Sequence, residues 1–213
     1  MKKFLLFIVL VLPLAAMAQF SNDGVAYTRK FQNKKAKNPN PMVTIGFHHT
    51  GDFYKNAVGL GGGLMLNIGR YQDLLNCSVG VEFIEYLGAD PRPEDIRNGL
   101  GLASGGGQLV VPVTLKLQLF PTSKETKFYV GCGGEVGLKV HDGGVLKHYY
   151  PEEKMLRSHS LAVMPVIGWK SRAIDFGVFY KHYIDKPFYH SIDGKKDFGE
   201  EKARYGYFLT CFF

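Results

Sequence analysis

From Met42 to Phe213 the chain repeats one pattern: an apolar residue at every second position, with small or polar residues between. It is clearest from Leu109 to Val140. There Leu109, Val111, Val113, Leu115, Leu117 and Leu119 alternate with Gln108, Thr114, Lys116 and Gln118, and after Pro121–Thr126 the residues Phe128, Val130, Cys132, Val136, Leu138 and Val140 alternate with Tyr129, Gly131, Gly133, Glu135, Gly137 and Lys139. A period of two is that of a strand, so this stretch predicts a hairpin with one continuous apolar face.

Six more strands follow from the same rule. Val43, Ile45 and Phe47 mark the first, with Thr50–Asn56 expected as a polar loop, and Val58, Leu60, Leu64, Leu66 and Ile68 mark the second. After a tight turn at Tyr71 and Gln72, Leu75, Cys77, Val79, Val81 and Phe83 mark the third, and Leu87–Gly107 is expected as an irregular excursion rich in glycine and proline. Leu161, Val163, Pro165, Ile167 and Trp169 mark the sixth, where Pro165 predicts a bulge because proline cannot donate to a ladder. Ile174, Phe176, Val178 and Tyr180 mark the seventh, and Ala203, Tyr205, Tyr207, Leu209, Cys211 and Phe213 the eighth.

The expected fold is all-β, an eight-stranded antiparallel up-and-down barrel built from residues 42–213, and three features favour a transmembrane one. Connections after strands two, four and six are short, while His141–Arg157, Asp185–Glu201 and the Leu87–Gly107 excursion are long, as in outer-membrane barrels. The apolar parity survives each short turn, so a single belt can run round the sheet. Aromatics near strand ends, Phe47, Phe83, Phe128, Trp169, Tyr180, Tyr205 and Tyr207, suit the interfacial girdles of a membrane protein. A soluble lipocalin-like carrier is the alternative, with the apolar face turned inward; the opposite face, mostly Gly, Ser, Thr and Asn, is poorly charged for a water-exposed surface.

Composition adds an address. Lys2 and Lys3, an apolar run from Phe4 to Ala16 and the small-residue end Ala16-Met17-Ala18 describe a secretory signal over residues 1–18, too short to span a bilayer as a helix. The formal charge of +7 falls to +5 without those two lysines. Part of the excess is a basic segment within residues 19–41, Arg29, Lys30, Lys34, Lys35 and Lys37, expected in the periplasm as a solvated leader or against anionic headgroups. Nucleic acid is not an expected partner of an exported chain. Cys77, Cys132 and Cys211 all share the apolar parity and read as small hydrophobes, not as a disulfide.

The run Val111-Pro-Val-Thr-Leu-Lys-Leu-Gln-Leu-Phe-Pro121, followed by Lys127-Phe-Tyr-Val-Gly-Cys-Gly-Gly-Glu-Val-Gly137, resembles the central hairpin of the PorT-like outer-membrane β-barrel family. The last strand, ending at Phe213, resembles the C-terminal signal read by the barrel-assembly machinery. The resemblance implies fold and outer-membrane location, with lipids and that machinery as partners. It implies little about role, since such barrels host unrelated ones.

Seven charged residues fall on the inner parity: Glu82, Lys116, Glu135, Lys139, Asp175, Lys181 and Arg204. Isolated charges in a narrow lumen are costly, so a pairing network is expected, Glu82 and Glu135 with Lys116 and Arg204, plugging the interior. Tyr149, Tyr150, Phe188 and Tyr189 are the aromatic loop residues a protein interface would use. A rim enzyme acting on lipid A would draw on His190, Ser191 and Asp193, or on Ser158, His159 and Ser160, but adjacent strand residues point to opposite faces. No metal or cofactor is expected, since the histidines lack ligand spacing.

Overall fold

The computed structural model describes residues 42–54, 57–70, 73–89, 92, 94, 101–119, 126–144, 148, 156–185 and 202–213. The expected signal, the basic segment, Tyr149, Tyr150, Phe188, Tyr189, His190, Ser191 and Asp193 lie outside these residues. Eight strands, β1 (Val43–Tyr54), β2 (Ala57–Ile68), β3 (Leu75–Ala89), β4 (Leu102–Leu119), β5 (Lys127–Asp142), β6 (His159–Lys170), β7 (Ile174–Tyr183) and β8 (Ala203–Phe212), pair each with the next, and β8 returns to β1. All pairs are antiparallel, so the sheet is a closed up-and-down barrel.

Three connections of six, seven and three residues join β2–β3, β4–β5 and β6–β7 at one end. At the other end the connections are two, 12, 16 and 19 residues long. The strands are longer than the periodicity suggests, mostly toward this second end. Thr50–Tyr54 belongs to β1 and not to a loop, β3 runs on through Ile84 and Tyr86, and β4 already begins at Leu102. In that upper part of β3 the pattern inverts: Ile84 and Tyr86 are buried inside, and the outward position carries Glu85.

The register fixes the barrel's shape. Stepping across the outward residues Val43, Ile68, Cys77, Leu115 and Cys132 to Pro165, then along Tyr180 and Tyr205, the path returns to β1 at Phe53, ten residues above its start. With eight strands about 4.8 Å apart and a rise of about 3.4 Å per residue, that stagger tilts the strands by about 40°. The backbone cylinder then has a radius of about 8 Å, wide enough for side chains and little else.

The expected bulge at Pro165 is absent. Pairing of β6 with β5 runs unbroken through Cys132 and Pro165. Pairing with β7 lapses at Met164 and Pro165 but keeps the same register on both sides, from Val163 opposite His182 to Val166 opposite Phe179. The ring nitrogen therefore removes a bond without inserting a residue. The bulges lie elsewhere: Gly105 is the extra residue between the Tyr86–Gly106 and Leu87–Ser104 pairs, and Val140 between Gly107–His141 and Gln108–Lys139. Beside the first, Gly106 adopts φ 123°, a conformation that suits glycine.

The faces are unambiguous. Ile45, Leu64, Val81, Val113, Val136, Ile167, Val178 and Leu209 are exposed on the outer wall. Inside, buried polar groups share the space with an apolar cluster of Tyr129, Met164, Val166, Phe179 and Phe208. Close approach explains why inward glycines recur: a Cβ on Gly133 would stand 2.5 Å from the Val113 carbonyl oxygen, and one on Gly63 would collide with the Val81 carbonyl. The three cysteines are free and sit on the outer wall.

Candidate functional site: the filled lumen

Seven strands contribute to two layers of charge joined by a histidine. The layer nearer the short turns is built on Asp175 of β7. Lys116 of β4 reaches across to donate to its Oδ2 at 2.6 Å, and the Tyr129 hydroxyl of β5 donates to its Oδ1 at 2.7 Å. The Lys116 ammonium also sits 5.0 Å above the Phe208 ring and 5.2 Å from that of Tyr129, so ring faces complete its surroundings. Below this, Lys170 donates to Asn76 Oδ1 at 3.3 Å and lies 5.1 Å from the Phe212 ring.

The layer nearer the long connections is built on Asp52 and Lys181. Lys181 Nζ lies 2.7 Å from Glu135 Oε1 and 3.3 Å from Asp52 Oδ2, and Arg204 Nε lies 3.0 Å from Asp52 Oδ1. Arg204 Nη2 donates to the Ala57 carbonyl at 3.4 Å, and the guanidinium stacks 5.0 Å over the Tyr86 ring. Asp52, Lys181 and Arg204 are fully buried, so each charge has exchanged water for fixed partners.

His48 of β1 joins the layers. Its Nδ1 is 2.8 Å from Thr210 Oγ1, its Nε2 is 2.9 Å from Thr50 Oγ1, and Glu82 Oε2 of β3 lies 3.7 Å from Nε2. A chamber of about 20 Å³ remains among His48, Glu82, Lys116 and Lys181, room for about one water molecule.

All seven charged residues expected inside do project inward, and only Lys139 is partly exposed, paired with Asp142 at 3.0 Å. The partners differ from those expected. Glu135 pairs with Lys181 instead of Lys116 or Arg204, Lys116 with Asp175, and Arg204 with Asp52; Glu82 meets no lysine or arginine among the described residues. Asp52 is the central member that sequence reasoning missed, because Thr50–Asn56 reads as a polar loop. The available signal was parity: Thr50 and Asp52 continue the inner face of Thr44, Gly46 and His48, with Phe53 opposite.

Ser158, His159 and Ser160 do not assemble a nucleophilic centre. Ser158 Oγ lies 3.1 Å from His159 Nδ1 on the exposed rim, while Ser160 is buried within the lumen and donates to Gln108 Oε1 at 3.4 Å. A carrier lumen lined by leucine and valine is likewise not what the barrel encloses. Among the described residues no group of three or more His, Cys, Asp or Glu is arranged to hold a metal ion. No protein-family model matches the chain, and no curated protein sequence matches it.

Proposed function

We propose that this chain is an exported outer-membrane barrel of the PorT-like kind, crossing the outer membrane of a Gram-negative cell with its outer wall against lipid and its lumen sealed by ion pairs. One observation carries the reading. From Phe128 to Leu138 every outward residue of β5 is apolar or glycine, ten steps that at about 3.4 Å each and about 40° of tilt give a band about 25 Å tall, the height of the apolar belt of such barrels. The leader-like composition of residues 1–18 and the alternation of short and long connections support the same reading.

Within that reading the role is structural or one of interaction through the loops, and not catalytic. The lumen is filled, so contacts with other envelope molecules fall to the long connections, where Tyr149, Tyr150, Phe188 and Tyr189 are the anchors we propose. Density-gradient fractionation tests the location: the protein sediments with outer-membrane markers and resists carbonate extraction, whereas recovery in the aqueous periplasm contradicts it. Replacing the four aromatics by serine tests the role. Site-specific cross-links from these loops to envelope components are lost while membrane levels of the protein stay unchanged; cross-links that survive the change place the contact elsewhere.

A further inference from the structure

Among the described residues, the layer nearer the long connections does not balance its charge with lysine and arginine. It holds three buried carboxylates, Asp52, Glu82 and Glu135, against two cations, Lys181 and Arg204. The cations toward the short turns, Lys116 on Asp175 and Lys170 beside Asn76 and the Phe212 ring, make no ion pair with Glu82. Glu82 is the carboxylate left over. Its Oε2 is buried and accepts no hydrogen bond among the described residues. An uncompensated charge in a closed, poorly polarisable interior is disfavoured, and the group that can cancel it is His48.

The connection between the two is already built. Thr50 Oγ1 is 2.9 Å from His48 Nε2, and Glu82 Oε2 stands 3.7 Å from the same nitrogen. A hydroxyl both donates and accepts, so Thr50 can satisfy His48 Nε2 whether the proton is on the ring, facing the Glu82 carboxylate, or on the carboxyl, facing a neutral ring. The second ring nitrogen is held by Thr210 in either case. The small chamber bordering both groups leaves room for a water through which the proton exchanges.

We infer that His48, Thr50 and Glu82 form a proton-binding site at the centre of the lumen, holding one proton between ring and carboxyl and bringing the adjoining ion-pair layer to neutrality. The charged groups facing it are Glu135, Lys181 and Asp52 on one side and Lys116 and Asp175 on the other. Losing that proton leaves the layer with a net negative charge, so the folded barrel is stabilised while the proton is bound and weakened as rising pH removes it. Neutralising Glu82 abolishes the dependence.

Two measurements on the full-length protein in vesicles test this. Urea-unfolding midpoints from mildly acidic to alkaline pH fall with rising pH in the wild type; in Glu82→Gln the step disappears, and in His48→Gln it persists but moves. Profiles of wild type and Glu82→Gln that overlay overturn the inference. Independently of any variant folding, ¹⁵N-histidine and ¹³C-glutamate spectra of the wild type at neutral pH count the protons. One proton is expected on the pair, either imidazolium with carboxylate or neutral ring with carboxylic acid; finding none, or two, overturns it.

Discussion

At the scale of single residues, Lys181 is the hub of the interior, since it touches both Glu135 and Asp52. Lys181→Met leaves Glu135 buried without its cation, and we predict a loss of about 3–5 kcal/mol in unfolding free energy, read from urea titrations followed by tryptophan fluorescence. Lys139→Met, at a half-exposed pair near the rim, costs less than about 1 kcal/mol by the same measurement. Neighbouring glycines separate the two walls as sharply. Gly63→Ala drives a methyl into the Val81 carbonyl and costs about 1–3 kcal/mol, while at outward Gly62 the nearest atom to a new Cβ is 3.8 Å away and alanine is tolerated within about 0.5 kcal/mol. Which residues point inward was legible in the sequence, because parity is a local property of a strand. Their partners were not, because Lys116 and Asp175 are 59 residues apart and meet only once the register and stagger are set.

At the scale of elements, alternation located all eight strands but misjudged their ends. The signal assumes apolar outside and polar inside, which holds only along the belt; above it Ile84 and Tyr86 turn inward and Glu85 outward, so β3 reads as finished at Phe83. Pro165 predicts a bulge because a missing donor disturbs a ladder, yet here the gap faces β7 and the register carries through it. Pro165→Val restores the donor, and we predict slower amide hydrogen exchange at Tyr180 and Lys181 with the flanking pairs unchanged. Unaltered exchange there would mean the gap has another cause. The true bulges depend on Gly105 and Val140, and nothing in the period-two pattern sets those two apart from their neighbours.

At the scale of the whole molecule, a stagger of ten residues over eight strands leaves an interior that side chains fill, and the ion pairs occupy what the apolar cluster does not. The reconstituted barrel therefore carries no steady ionic current across a planar bilayer; a persistent open-state conductance contradicts a sealed lumen. What remains central is which wall meets lipid, and the protein's single tryptophan makes that measurable. Trp169 stands on the outer wall two residues from the short β6–β7 turn, whereas Leu64 lies near the middle of the belt. Quenching by lipids brominated at defined acyl depths, on the wild type and on Leu64→Trp in a Trp169→Phe background, reads both positions directly. Quenching is expected at both sites, with Trp169 most sensitive to shallow bromines and the residue at position 64 to deep ones; if neither is quenched beyond a water-soluble control, the outer wall does not face lipid.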